Sequence, residues 1–455
     1  MDNFWSFIKS TNQTIKASIL VRIILISIIL LFLLIPSSQV NRLINEREYR
    51  RQAVIEEINS KWAYSQTLLG PVLEIPYNVY HINKSTDKNG AEKETITREI
   101  KYAYFLPDVL QINGEVIPEY RHRGIYSTAV YVSDLTISGE YSMPDFNQWK
   151  IPYKDIIWED AVFSLGLSDM RGINKTIDMK WDNDNIILKP GVKENQVVTK
   201  GVFSKIKINK KNKSSVFEIK LNFRGSTNIS FLPLGRNTKV DIKSEWPSPS
   251  FNGAFLPKER TITDNGFDAS WEIFDYNREF PQSWTDKEIN LESSKFGLEL
   301  FLPVDEYQKT ERSTKYAILF IILTFAAVFI LFEIINKKRV HPIQYILVGF
   351  ALTIFYLLLI SLSEHIPFNF AYLIASLSVV VIITLYGSSI CRKLSLSVIF
   401  GTLLTSLYGF LFFTLQLEDY SLLVGSIGLF IILTAVMIFT RKIDWYNFKL
   451  NKNDE

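Results

Sequence analysis

The sequence predicts a membrane protein with six transmembrane α-helices and a large, mainly-β, sandwich-like periplasmic domain. One helix lies near the N-terminus and five lie near the C-terminus. Three observations support this fold class. An apolar run lies near the N-terminus, more apolar runs crowd residues 316–440, and the polar stretch between them shows strand-like alternation. Each apolar run is close to the about 20 residues that a helix needs to cross a bilayer.

Proline marks several ends of the predicted spans. Pro36 follows the first span, and Pro342 and Pro367 open the third and fourth, where the missing N–H of proline costs little. The six spans are predicted at Ile19–Ile35, Tyr316–Ile335, Ile343–Leu362, Phe368–Tyr386, Leu394–Leu415 and Ser421–Thr440.

The charges of the short connections predict the orientation. Connections on one side carry Lys and Arg, whereas those after the third and fifth spans carry Glu364 or Glu418 and no Lys or Arg. Basic connections lie in the cytoplasm. Both termini are therefore predicted to be cytoplasmic, and the large domain is predicted to lie on the outer side of the membrane. The first span lacks an Ala-x-Ala-like cleavage site and is expected to remain as an anchor rather than a signal peptide.

The polar region begins with a charged helical stalk, Asn41–Trp62. The sequence Leu69-Gly70-Pro71 follows it and prevents the helix from continuing. Strand patterns follow. Val202–Ile208 and the stricter alternation from Phe217 to Phe223 are separated by the polar turn Asn209–Lys213, which predicts a hairpin. Strands with one polar face indicate antiparallel sheets stacked as a sandwich.

Four segments are predicted. Residues 1–36 are a cytoplasmic N-terminus with the anchor helix, and residues 37–315 form the periplasmic β-rich domain with its stalk. Residues 316–440 form a five-helix bundle, and residues 441–455 are a cytoplasmic tail. Strands cluster in about 70–170 and 180–305, so two sub-domains or a duplication remain open.

Composition and motifs exclude several function classes. The net charge of +3 is too small to indicate nucleic-acid binding. The one cysteine, Cys391, excludes an intramolecular disulfide framework and a cysteine-based zinc site. The sequence has no Walker A, Gly-x-Ser-x-Gly or His-Glu-x-x-His motif. His81 and His122 have no ligand-spaced partner. We therefore predict a protein that is not an enzyme, with no catalytic, cofactor-binding or metal-binding residues.

Two adjacent residues between the third and fourth spans are candidates for function. Glu364 and His365 could exchange protons or bind a cation, although polar groups also occur at span ends without such a role. Glu333 lies near the cytoplasmic end of the second span and could pair with Lys337 at i+4. The spans carry few charges, which is unusual for an ion-coupled transporter.

Three further candidates lie outside the spans. Arg312 and Lys315, in the connector before the second span, could contact lipid headgroups or an acidic partner, or simply reach the interface. Trp246 lies in a rigid Trp-Pro-Ser-Pro segment and could stack on glycan rings. The alternative is that its indole fills the sandwich core at a corner between strands.

Several patches, in order along nearly the whole chain, resemble the CreD family of inner-membrane cell envelope integrity proteins. They are Gly70-Pro71-x-Leu73-x-Ile75-Pro76, Arg123-Gly124-Ile125-Tyr126, Asp169-x-Arg171-Gly172-Ile173, Pro233-x-Gly235-Arg236-Asn237, Trp246-Pro247-x-Pro249-Ser250-Phe251-x-Gly253, His341-Pro342-x-Gln344-Tyr345, Ser363-Glu364-His365 and Ile443-Asp444-Trp445-Tyr446. The resemblance implies a location in the bacterial inner membrane, with the large domain in the periplasm, and a link to tolerance of envelope stress, colicins and β-lactams. It implies no reaction and no catalytic residue.

The favoured hypothesis is a non-enzymatic protein that supports cell envelope integrity and the envelope-stress response. Its expected partners are the lipid bilayer and either cell-wall components or another envelope protein, with no nucleic acid and no cofactor. The alternatives are a transport or export module, since five helices exceed what anchoring needs, and a periplasmic cell-wall hydrolase with a cleft that the sequence cannot reveal.

Overall fold

The computed structural model describes residues 19–86, 92–192, 197–285, 289–300, 306–391, 394–417 and 420–441. The chain divides into two compact units. One unit, here called the β unit, is Ala53–Pro303. The other, the membrane unit, combines Met1–Gln52 with Val304–Glu455.

Helices make up the described part of the membrane unit. Five of them are long and apolar enough to cross a membrane, and a further apolar stretch, Leu423–Ile438, is shorter. This result confirms a membrane protein with several spans. The helices are α1 (Ile19–Trp62), α2 (Glu306–Lys315), α3 (Ala317–Val328), α4 (Pro342–Ser363), α5 (Phe368–Cys391), α6 (Leu394–Gln416) and α7 (Ser421–Thr440), and a π-helical segment (Phe329–Ile335) extends α3.

The start of α4 shows why proline stands at a span boundary. Pro342 occupies the first helical position, where no N–H partner is needed. Before it, Nδ1 of His341 accepts a hydrogen bond from the Ile343 N–H at 3.3 Å, and Oε1 of Gln344 accepts one from the His341 N–H at 2.8 Å. This reciprocal capping satisfies two otherwise unpaired donors and fixes where the span begins.

The β unit consists of two sheets. The nine-stranded sheet has the order β13-β17-β11-β1-β5-β9-β8, with β2 pairing β1 and β16, and the eight-stranded sheet has the order β14-β15-β12-β3-β4-β10-β6-β7. The strands are β1 (Gln66–Thr86), β2 (Glu92–Phe105), β3 (Val109–Arg123), β4 (Tyr126–Ser142), β5 (Val162–Leu167), β6 (Asp178–Trp181), β7 (Asp184–Ile186), β8 (Lys189–Pro190), β9 (Gly201–Lys205), β10 (Ser214–Ser226), β11 (Asn228–Phe231), β12 (Asn237–Ser244), β13 (Pro249–Gly253), β14 (Glu259–Thr263), β15 (Gly266–Phe274), β16 (Ser283–Thr285) and β17 (Phe296–Leu300).

One hydrophobic core contains side chains from both sheets. The alternation predicted on β10 is confirmed, because Phe217, Ile219, Leu221 and Phe223 are all at most 3% exposed. Trp271 on β15 is fully buried. The sandwich therefore follows from the period-two pattern, which gives each strand one apolar face.

Two strand-pairing predictions are wrong. The sheets are mixed, since β1 pairs with β11 and β12 pairs with β3 in parallel. The predicted hairpin is also absent, because β9 pairs with β5 and β8 while β10 pairs with β4 and β6 in the other sheet. The segment between β9 and β10 instead connects the two sheets. The alternation of apolar and polar residues shows which face of a strand is buried but not which strand lies beside it.

A short 3₁₀ turn, Met170–Gly172, follows β5 and carries one of the sequence patches named above. Oδ1 of Asp169 accepts hydrogen bonds from the Arg171 N–H at 3.1 Å and from its Nε at 3.0 Å. Gly172 is required because a Cβ there would lie 2.5 Å from the Arg224 carbonyl oxygen. The patch is thus a structural junction that ties this turn to the eight-stranded sheet.

Asp169 should make the β unit sensitive to acid. Its hydrogen bonds with Arg171 lower the pKa of its carboxyl group. A carboxyl group whose pKa is lower in the folded state stabilises the fold above its unfolded pKa of about 3.9 and loses that contribution as the pH falls. We expect Asp169→Asn to lower the melting temperature at pH 7 and to match the wild type increasingly closely towards pH 3. A difference that is independent of pH would contradict this role.

Candidate functional site

A candidate site in the described part of the chain is a polar cleft of about 690 Å³ on the solvent face of the eight-stranded sheet. Five strands line it, β14, β15, β12, β3 and β4. Along β12, Asp241 and Lys243 point into the cleft while Val240 and Ile242 alternate with them and are at most 2% exposed. The alternation that builds the core thus also supplies the polar wall.

Strand register arranges the cleft residues in two rows that cross the sheet. Residues that face each other on neighbouring strands have side chains about 4.5–5.5 Å apart, so each row is nearly continuous. One row is Thr261, Asp268, Lys243, Glu115 and Asp134, and the other is Glu259, Ser270, Asp241, Asn113 and Thr136.

The cleft mixes both charges with neutral polar groups. Its carboxylates outnumber its cations, and some of the charges already have partners. Oδ1 of Asp241 accepts a hydrogen bond from Ser270 Oγ at 2.6 Å, and its Oδ2 lies 3.3 Å from Lys239 Nζ. Lys243 lies 4.0 Å from Glu115. Such a surface offers hydrogen-bond donors and acceptors to a polar ligand, with a net preference for positive charge.

The membrane unit contains a buried ion pair. Arg22 Nη1 on α1 lies 2.5 Å from Oε2 of Glu333 in the π-helical segment, and the Glu333 side chain is 2% exposed. The hydroxyl of Tyr345 donates a hydrogen bond to Oε1 of Glu333 at 3.2 Å. The prediction that Glu333 pairs with Lys337 is therefore wrong. The π-helical segment ends before Lys337, so Glu333 and Lys337 do not have the i+4 spacing of a regular α-helix. Arg22 on α1 supplies the cation instead.

A second ion pair places the candidate Glu364. Its Oε1 lies 3.4 Å from Arg47 Nη1 on α1, and the Glu364 side chain is 11% exposed. His365 is exposed, and its backbone N–H donates to the Leu362 carbonyl oxygen at 2.9 Å. Glu364 thus forms an ion pair with α1, whereas the neighbouring His365 is exposed.

The other sequence candidates do not line the cleft. Lys315 is exposed on α2 and lies 3.1 Å from Glu311, and Arg312 is half-buried on the same helix. Trp246 is 2% exposed, its Nε1 donates to the Ser248 carbonyl oxygen at 3.2 Å, and its ring centroid lies 5.1 Å from that of Tyr120. This geometry agrees with a corner residue of the core and leaves no open ring face for a glycan.

The last turns of α1 belong to the β unit. They contact its strands through cation–π contacts of Trp62 and an ion pair of Glu57. The Trp62 ring lies 4.3 Å from the Arg121 guanidinium and 5.1 Å from that of Arg224. Hydrogen bonds from Arg123 and Lys61 lower the pKa of Glu57 to about 2. These contacts join the end of the helix to strands β3 and β10.

No group of three or more metal-ligating side chains occurs among the residues that the structure describes. The predicted lone histidine His81 does have a neighbour, since its Nε2 lies 2.7 Å from Oε2 of Glu99. Both side chains are about half exposed on the paired strands β1 and β2. Such an open pair is a common surface contact and lacks the burial that tunes catalytic acids and bases.

The cleft was not recognised in the sequence. Its residues come from five strands, and the local sign in the sequence is the alternation of polar and apolar residues, as on β12 and β4. The registers that bring Glu115, Lys243 and Asp268 together follow from strand order, and a single sequence does not show which strands are neighbours.

Known proteins of one family match this chain along almost its whole length. The family model described as "Inner membrane protein CreD" matches residues 18–446. A protein named "Inner membrane protein CreD" from Escherichia coli (strain K12) is 33% identical over 426 residues, which cover 93% of this chain and 92% of that protein. The match includes the helices of the membrane unit and both sheets. The chain therefore belongs to the CreD family of inner membrane proteins.

Proposed function

We propose that this protein supports cell envelope integrity by binding cell-wall material in the polar cleft of a periplasmic β unit. The cleft itself is the observation that supports this function most. It spans five strands, and its amide, hydroxyl, carboxylate and cationic side chains lie in two rows. Peptidoglycan carries hydroxyl, amide and free amino groups, which can form hydrogen bonds and ion pairs with such side chains.

The orientation in this proposal rests on the charges of the connections between helices. With the Lys- and Arg-bearing connections in the cytoplasm, both termini are inside and the β unit is in the periplasm, beside the cell wall. The two ion pairs of α1 fit this placement. Arg22 and Arg47 are 25 positions apart, or about 37 Å of helix, which is close to the thickness of a bilayer with its interfaces.

We infer binding rather than hydrolysis from the environment of the cleft carboxylates. A glycosidase needs one protonated carboxylic acid, which usually requires an apolar, desolvated pocket. Here the Glu115 side chain is 42% exposed next to Lys243, and the Asp241 side chain is 37% exposed next to Lys239. Neither carboxylate therefore lies in the apolar, desolvated pocket that such an acid needs.

The test uses the full-length protein with two isosteric changes in the cleft, Glu259→Gln and Asp268→Asn. Both residues are exposed, so the fold should be unaffected. We expect the double variant to sediment with isolated peptidoglycan sacculi roughly tenfold more weakly than the wild type. In a deletion strain, the wild type should restore resistance to detergent, colicin and β-lactam, and the double variant should not.

The matched control is Glu299→Gln, which removes an exposed carboxylate from β17 in the other sheet. It should bind sacculi and restore resistance as the wild type does. Equal sedimentation of the cleft variant and the control would refute the cleft as the binding surface. A deletion that leaves all three sensitivities unchanged when the protein is induced would refute the envelope role.

A transport or export module is a second candidate, because the spans contain the buried Arg22–Glu333 pair. Ionisable residues at such positions often mark ion pathways. Here, however, each charge already neutralises the other, which favours a structural role. In the same deletion strain, full restoration by the combined Arg22→Met and Glu333→Leu variant would exclude a pathway that uses this pair.

A further inference from the structure

An apolar groove of about 320 Å³ runs along the surface of α5 and α6 in the membrane unit. The buried rings of Tyr372 and Tyr408 form its floor, and the exposed Leu373 and Leu377 form one rim. Gly409, on α6, leaves the groove open at its middle, because a Cβ at this position would meet no atom within 4 Å. Both helices are long and apolar enough to cross the membrane, and an exposed apolar surface on such helices suits contact with lipid.

Three of the hydroxyl groups along the groove form hydrogen bonds with backbone carbonyl groups of the protein. The Tyr372 hydroxyl donates to the Tyr408 carbonyl oxygen at 2.7 Å. Ser376 donates to the Leu373 carbonyl oxygen at 3.1 Å, and Thr405 donates to that of Gly401 at 2.8 Å. The surface that remains for an occupant is therefore largely hydrocarbon, which suits an acyl chain.

One end of the groove is polar and positively charged. Asn369, which lines this end, accepts a hydrogen bond from Gln416 Nε2 at 2.6 Å. Lys309 Nζ on α2 donates to Gln416 Oε1 at 3.1 Å and lies 5.9 Å from the Phe368 ring. Among the side chains that the structure describes, the hydrogen-bond partner of this ammonium group is a neutral amide. Its charge is therefore available to an anion.

The length of the groove matches one leaflet of a bilayer. From Asn369 to Val380 the helix advances by 11 residues. That is about 17 Å, or roughly half of the ~30 Å hydrocarbon core. A chain that starts at the interface beside Lys309 would reach the middle of the membrane.

We propose that this groove binds an anionic phospholipid, with one acyl chain along α5 and α6 and the phosphate at the Lys309 ammonium. The apolar groove, the cation at its interfacial end and the leaflet-length depth all agree with this one occupant. The site is separate from the polar cleft, which lies in the other unit of the chain. A bound lipid here would be an integral part of the helix bundle.

The test is Gly409→Leu, which fills the groove without a steric clash at Cβ. Native mass spectrometry of the full-length protein in detergent would measure retention of added phosphatidylglycerol or phosphatidylcholine. We expect the wild type to retain phosphatidylglycerol preferentially and Gly409→Leu to bind it roughly tenfold more weakly. Lys309→Gln should keep acyl-chain binding but lose the preference for the anionic lipid.

Gly425→Leu on α7 is the matched control, since a Cβ at Gly425 also meets no atom within 4 Å and Gly425 does not line the groove. It should bind lipid as the wild type does. Retention by Gly409→Leu equal to that of Gly425→Leu, or an unchanged headgroup preference in Lys309→Gln, would overturn the proposal. Loss of sacculus binding through the cleft would leave these lipid measurements unaffected, so the two proposals fail separately.

Discussion

Replacing Glu333 by alanine is expected to lower the free energy of unfolding by about 3–5 kcal/mol, because it leaves the Arg22 guanidinium without its carboxylate. The Arg22 side chain is 18% exposed and the Glu333 side chain 2%, so little water is available to solvate the remaining charge. The Tyr345 hydroxyl would also lose its acceptor. Far-UV circular dichroism at the helix band, in a mild detergent, would measure the loss in the membrane unit.

Two controls separate the loss of the ion pair from a general effect of mutation. The combined Arg22→Met and Glu333→Leu variant removes both charges and should be close to the wild type in stability. Glu311→Ala breaks only the i,i+4 pair with Lys315 and should change stability by less than about 0.5 kcal/mol. If Glu333→Ala were no less stable than Glu311→Ala, the buried pair would have no structural role.

The second large effect is expected in the β unit, where Trp271→Ala should cost about 3–5 kcal/mol through the cavity that it creates. Trp271 is fully buried on β15. Its ring centroid lies 5.6 Å from that of Phe251 and 5.8 Å from that of Phe296, both on strands of the other sheet. Its Nε1 also donates to the Phe255 carbonyl oxygen at 3.3 Å. One side chain therefore joins the two sheets.

Tryptophan fluorescence during denaturation would measure this loss. It reports on the β unit, which contains seven of the nine tryptophans, at positions 62, 149, 158, 181, 246, 271 and 284. Tyr276→Ala is the matched control, since this large aromatic residue is 95% exposed and should change stability by at most about 0.5 kcal/mol. Equal stability of the two variants would mean that Trp271 does not hold the sheets together.

The sequence predicted correctly those helices and strands that are determined by residues close together in the chain. The span predicted at Ile343–Leu362 matches α4, because an apolar run and a capped proline determine its limits. The buried residues of β10 were predicted for the same reason, since alternation alone decides which side chains face the core. In both cases the information lies within a few residues.

Features that depend on distant partners could not be predicted in this way. The carboxylate of Glu333 meets a guanidinium 311 positions earlier in the chain, whereas the sequence suggested a neighbour four positions later. The runs around Val202 and Phe217 are adjacent in sequence yet lie in different sheets. The cleft needs the registers of five strands at once. Each of these features results from tertiary packing, which local periodicity does not specify.

The two ion pairs of α1 have a consequence for how far this helix can move along its own axis. Arg22 near the start of α1 and Arg47 beyond its middle hold this helix to the same bundle, through Glu333 and Glu364. A piston-like slide of α1 by one helical turn, about 5.4 Å, would break both ion pairs together. The two ion pairs together therefore oppose sliding of α1 along its own axis relative to the other helices of the membrane unit.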